Sequence, residues 1–196
     1  MKITYDYLVE KAVNCLVKEN TASPEDVEIY RFGVEVTFLK IMHLFSDFLI
    51  AVCMKKVPEF LIIFGIFCAF RRNTGGYHAK TRVGCYVFSC LAVAAALAAT
   101  EAEVRLLYIC MISLCEAVIL ILISPVENEN RPLDEEEISC FKKRLYILTA
   151  IYFTALIITI KMGYFQLLWL FTIGLSLTTI LTLLGKFQEE RTPGGK

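Results

Sequence analysis

Downstream of residue 82 the chain falls into four apolar runs, at 83–100, 104–124, 145–160 and 164–184. Roughly 20 consecutive apolar residues are what a helix needs to cross the hydrocarbon of a bilayer. Within that layer only a helix or a closed barrel satisfies its own backbone. Hydrophobic residues make up 57% of the sequence, against about 45–50% in ordinary soluble domains. One soluble core has no room for that excess. The expected fold class is therefore all-α: a polytopic membrane protein with four to six transmembrane helices, forming a single integral membrane domain over 1–196.

The N-terminal part is more amphipathic. Residues 1–22 carry charges every few positions and no continuous apolar stretch, so they do not read as a cleavable signal peptide. Leu8, Ala12, Cys15 and Leu16 recur at helical spacing and predict a short amphipathic helix. Ser23, Pro24, Glu25 and Asp26 read as the start of a second helix, with Ser as N-cap, Pro at the first position and acids in the first turn. That helix is expected over 24–56, either in the interface or spanning with its polar side against protein. The next apolar segment, 58–70, is short for a span. It reads either as a helix continuing through Arg71 and Arg72 with snorkelling side chains or as a re-entrant segment.

Twenty basic and twenty acidic residues give a formal net charge of +0, which argues against a nucleic-acid partner. The placement of the cations carries more information. Arg71, Arg72, Lys80 and Arg82 fall on one side of the predicted spans. Lys142, Lys143 and Arg144 return to that side, as do Lys186 and Arg191. The positive-inside rule then puts the central loop at 71–85, the polar loop at 125–144 and the C-terminus in the cytoplasm. Lys55 and Lys56 fit this pattern less well if 58–70 crosses.

The central loop, RRNTGGYHAKTRVGC, is the most polar stretch between apolar segments. A thiol becomes a useful nucleophile when an imidazole takes its proton, and a helix N-terminus and nearby cations favour the thiolate. Cys85 stands at the head of the 83–100 run, with Lys80 and Arg82 just upstream and His78 seven residues back. On one continuous helix that spacing would leave the two ~10 Å apart along the axis. A working pair therefore needs His78 outside the helix of Cys85 and folded back over its start, a bend that Gly75, Gly76 and Gly84 permit. Cys90, or Cys53 with His43, are alternatives. The remaining thiols in apolar runs read as small hydrophobes in the reduced state. No Cys/His cluster has metal spacing, so neither a metal nor a cofactor is expected.

The string RRNTGGYHA, followed by Cys85 at the head of an apolar span, resembles the signature of the accessory gene regulator protein B (AgrB) family of membrane cysteine endopeptidases in Gram-positive quorum sensing. Ser124-Pro125-Val126, Arg131-Pro132-Leu133 and the basic run at 142–144 are similar to the family as well. The resemblance covers roughly residues 35–185. It implies His78 and Cys85 as the catalytic pair and an AgrD-like precursor peptide as substrate. It also implies cleavage through a thioester on Cys85, followed by ring closure to a thiolactone or lactone, in the bacterial cytoplasmic membrane. Arg71, Arg72, Lys142, Lys143 and Arg144 are the candidate partners of an acidic peptide tail, and Gly75 and Gly76 join them as candidate substrate-binding residues. The resemblance and the small-residue stripe near 92–99 point to a homodimer. Glu116 lies near the middle of its span, where a carboxylate is costly, and reads as a hydrogen-bonded structural group. A small membrane transporter or a non-catalytic peptide-docking protein is the alternative class, although no inverted repeat is visible.

Overall fold

The structure is a computed structural model that describes residues 10, 11, 14, 27–77, 81–126 and 133–191. Among these residues there are six helices and no strand: α1 (Val27–Cys53), α2 (Val57–Thr74), α3 (Arg82–Ala99), α4 (Leu106–Ile123), α5 (Glu135–Lys161) and α6 (Phe165–Arg191). Five of them, all but α2, are long and apolar enough to cross a membrane. The all-α membrane fold expected from the sequence is what the chain adopts. Most of the expected N-terminal helix at 1–22 and the Ser23-Pro24 helix start lie outside the described residues.

The chain divides into two units, Met1–Leu49 and Ile50–Lys196. Within the first, α1 carries ion pairs at 3.8 Å from Arg31 to Glu35 and from Arg31 to Glu10. The second unit contains the candidate site.

In that unit α6 is the central helix. Half of its most apolar stretch is buried, against 6% for α3. Two faces of α6 build two cores. Leu168 and Leu175 pack with Phe70 of α2, Ile109 and Leu120 of α4, and Leu145, Tyr152 and Leu156 of α5. Leu170 and Ile173 pack with Ala51, with Phe60 and Ile63 of α2, and with Val93 and Leu97 of α3. Lipid tails are as apolar as leucine, so close packing and interhelical hydrogen bonds hold such helices together rather than burial alone. Both devices are present. A Cβ on Gly174 would sit 2.8 Å from the Ile63 carbonyl oxygen, so α2 and α6 meet backbone to backbone there. Ser113 of α4 lies 3.2 Å from the Tyr152 hydroxyl and 2.9 Å from the Thr172 hydroxyl, and Ser176 donates to Glu116. Outward side chains such as Leu91, Leu107 and Leu122 are more than half exposed, as residues facing lipid would be.

The 58–70 segment does not turn back. It belongs to one continuous helix that runs through Arg71 and Arg72 to Thr74. Its 18 residues include Glu59 and both arginines, which leaves it no uninterrupted apolar stretch long enough for a span. α5 likewise begins well before residue 145. Asp134 caps it, its side chain accepting the Glu137 N–H at 2.7 Å, and three glutamates fill the first turn. An acid cap and first-turn acids oppose the positive end of the helix dipole, which draws the polar stretch into the helix.

Candidate active site

α2 and α3 are joined by residues 75–81, the core of the polar loop. Its course is set by what surrounds its backbone. Gly75 has φ +66° and Gly76 φ +131°, values that side chains other than glycine rarely adopt. Gly75 pairs with Val126 in an isolated parallel bridge, and the Val126 N–H donates to the Thr74 carbonyl at 2.9 Å. A Cβ on Gly75 would collide with the Val126 carbonyl oxygen. One on Gly76 would strike the Arg71 guanidinium and come within 2.7 Å of the Leu181 carbonyl oxygen. The Tyr77 N–H donates to that Leu181 oxygen at 2.8 Å.

Arg71 closes the loop from the other side. Its guanidinium donates to the Gly75 carbonyl and, at 2.9 Å, to the Tyr77 carbonyl. Burial pushes the Arg71 pKa below its ordinary value, and an electrostatic interaction with Cys85 opposes that shift.

Cys85 lies half-buried at the start of α3. Thr81 is the N-cap: its hydroxyl accepts the Gly84 N–H at 3.1 Å, and its carbonyl accepts the Cys85 N–H at 3.0 Å. The Tyr77 ring packs on Phe88, with centroids 5.6 Å apart. Phe88 is three residues beyond Cys85, so it stands almost directly above it on the same side of the helix. His78 lies outside the described residues. The described residues that flank it, Tyr77 and Thr81, are both fixed beside the first turns of α3.

The sequence profile described as Accessory gene regulator B matches residues 9–183 of this chain. The chain belongs to that family. No curated protein and no solved structure matches it. Membership in the AgrB family ties the protein to autoinducer processing in the accessory gene regulator system, and its apolar helices make it a membrane protein.

The remaining cations anticipated from the sequence are separated by this AgrB fold. Arg72 and Arg144 line one cleft of about 690 Å³ between the end of α2 and the face of α5, together with Asn73, Phe141, Leu148 and Ile151. Lys142 and Lys143 are exposed neighbours on α5 that do not line it. Asn73 turns its amide back to the Ala69 carbonyl at 3.0 Å. The seven cysteines among the described residues are free thiols. Those residues contain no His/Cys/Asp/Glu group fit for a metal ion.

Sequence reasoning did not find the α6 contribution. Leu181, Thr182 and Gly185 hold the loop from a helix a hundred residues away. Thr182 and Thr74 are both fully buried, with their hydroxyls 3.2 Å apart. The one available signal is a glycine at 185 that ends the apolar run.

Proposed function

We propose that this AgrB-family protein is a membrane cysteine endopeptidase that cuts an AgrD-like precursor and closes the released peptide into a ring. One observation carries the reading. Tyr77, the neighbour of His78 in sequence, is held by Leu181 and Arg71, and its ring packs at a tilt on Phe88, one helix turn from Cys85. A His78–Cys85 pair requires the chain to fold back over the start of α3, and the position of Tyr77 supports that reading.

The chemistry is two transfers of one acyl group. His78 takes the proton of the Cys85 thiol, and the sulfur adds to the scissile carbonyl. The C–N bond breaks, and His78 returns the proton to the departing amine. The acidic C-terminal fragment leaves, and the N-terminal fragment stays as a thioester on Cys85. A cysteine thiol (or serine hydroxyl) within that fragment then gives its proton to His78 and adds to the thioester carbonyl. Cys85 departs as a thiolate and regains the proton, leaving a thiolactone or lactone. A thioester exchanged for a thiolactone is nearly neutral in free energy, so the second transfer needs no nucleotide.

The other residues take supporting roles. Arg71 orders the loop, with Gly75 and Gly76 giving it passage. Arg72 and Arg144 hold carboxylates of the precursor tail in their cleft, and the apolar walls at Phe141, Leu148 and Ile151 take its hydrophobic side. Lys142 and Lys143 add attraction for an acidic peptide. The loop end faces the cytoplasm, as its cations favour. The exposed Ala95 and Ala98 of α3 offer a close-packing surface for a second copy in a homodimer. Native mass spectrometry in mild detergent showing only monomer would count against that last assignment.

The test uses purified protein in lipid, mixed with a precursor carrying an internal cysteine and an acidic tail. Mass spectrometry follows the freed tail and an acyl adduct on Cys85. The reading requires that the adduct disappear in Cys85→Ala and fail to form in His78→Ala. Intact precursor that still binds, with unmodified Cys85, would leave a docking or transport protein in its place.

A further inference from the structure

We infer that the end of α6, from Leu181 to Gly185, is the positioning element of the candidate active site, and that Gly185 sets where the Gly76–Tyr77 backbone stands beside the helix that carries Cys85. The inference rests on the reading just proposed, but its geometry is independent of the mechanism. Gly185 is buried, and the space its side chain would occupy is already filled by loop backbone. A Cβ there would stand 2.5 Å from Gly76 Cα, Gly76 C and Tyr77 N. These are backbone atoms, so no side chain can swing aside to make room.

The loop cannot retreat either. On its far side the Arg71 guanidinium holds the carbonyls of residues 75 and 77. Val126 covers Gly75, and the Leu181 carbonyl draws the Tyr77 N–H back towards the same turn of α6. α6 therefore both attracts the loop, through Leu181 and Thr182, and limits its approach, through Gly185. A methyl group added at 185 moves Gly76 and Tyr77 and loosens Tyr77 from Phe88. A shift of about 1 Å in a reacting group lowers a rate ~100-fold.

Gly174 supplies the control. A Cβ there is as crowded, 2.8 Å from the Ile63 carbonyl and Ile66 Cβ. It lies eleven residues back along α6, ~16 Å from Gly185 along the axis. Gly65 has nothing within 4 Å of its Cβ position and serves as the neutral substitution.

The experiment uses the full chain in lipid with the precursor peptide. Gly185→Ala is expected to slow single-turnover cleavage about 100-fold, with peptide affinity, measured in a Cys85→Ala background, within about threefold. Gly174→Ala should lower thermal stability at least as much and yet cleave within about threefold of the parent. The decisive readout is a double-mutant cycle with His78→Ala on the alkylation rate of Cys85, followed by site-resolved mass spectrometry. If Gly185 acts by placing His78, the two defects do not multiply. Multiplying defects, or a parent-like rate in Gly185→Ala, would overturn the inference. Should Gly185→Ala fail to fold, Thr182→Val takes its place in the cycle, since it removes only the hydroxyl facing Thr74. Cleavage that survives in Cys85→Ala would remove the catalytic reading. The alkylation cycle would still report whether α6 sets the loop.

Discussion

At the end of the helices formed by the turns at 54–56 and 100–105, a cation completes a helix. Lys56 donates to the Leu97 carbonyl at 3.0 Å and the Thr100 hydroxyl at 2.8 Å, and pairs with Glu101 at 2.9 Å. Trp169 adds a 2.9 Å bond to the Ala99 carbonyl. The final carbonyls of α3, which also take tight-turn bonds from residues 100–102, thereby gain side-chain donors from two other helix ends. At the opposite end Arg71 holds the matching place in the last turn of α2 and does something else. It reaches past its own helix end to the carbonyls of Gly75 and Tyr77. The same chemistry, a cation on backbone carbonyls, stops a helix in one region and shapes a loop in the other. Lys56 accordingly has a structural role at the end of α3.

If the contrast is right, substitutions at the two ends separate activity from stability. The largest effect is expected for Cys85→Ala, which should cut tail release by about three orders of magnitude or more with thermal stability preserved. Gly76→Ala comes next. It introduces a side chain at a positive φ against Arg71 and α6, and cleavage should fall ~100-fold through loop displacement. Arg71→Lys keeps the charge but not the fork that spans two carbonyls. One such bond to a charged group is worth about 1.5–3 kcal/mol, so a roughly tenfold loss of turnover is expected at unchanged peptide affinity. Replacing Arg72 and Arg144 together by Gln should do the reverse, raising KM for an acidic precursor about tenfold with kcat intact, an effect that weakens as salt is added. The smallest change in activity belongs to Lys56→Met. Its Tm should drop by several degrees while cleavage stays within about twofold, and a large loss of activity there would erase the distinction between the ends.

The sequence conveyed the helices that are uniform and apolar, since length and composition alone define them. It was less informative where polar residues extend a helix. Asp134 and Glu137 form a capping signal that was hidden inside a stretch rich in loop-forming residues, so α5 appeared to start at 145. The loop itself was visible through its glycines, cations, histidine and cysteine. Its supports were not, because Val126, Leu181 and Gly185 act through backbone atoms or through a missing side chain. Nothing in residue type announces such a role. Arg71 and Arg72 were indistinguishable in sequence and diverge in space, one turned to the loop and one to the cleft beside Arg144. Neighbours on a helix point about 100° apart, and which direction meets the loop depends on tertiary packing.

The bond from Trp169 to Ala99 gives the molecule a built-in optical reporter. It is the chain's single tryptophan, near the start of α6, whereas Leu181 and Gly185 hold the loop towards that helix's other end. Its emission therefore reports the far end of the bundle and ignores local events at Cys85. With a precursor bound at the loop end, an unlabelled fluorimeter trace tests whether that event is felt along α6, ~18 Å away.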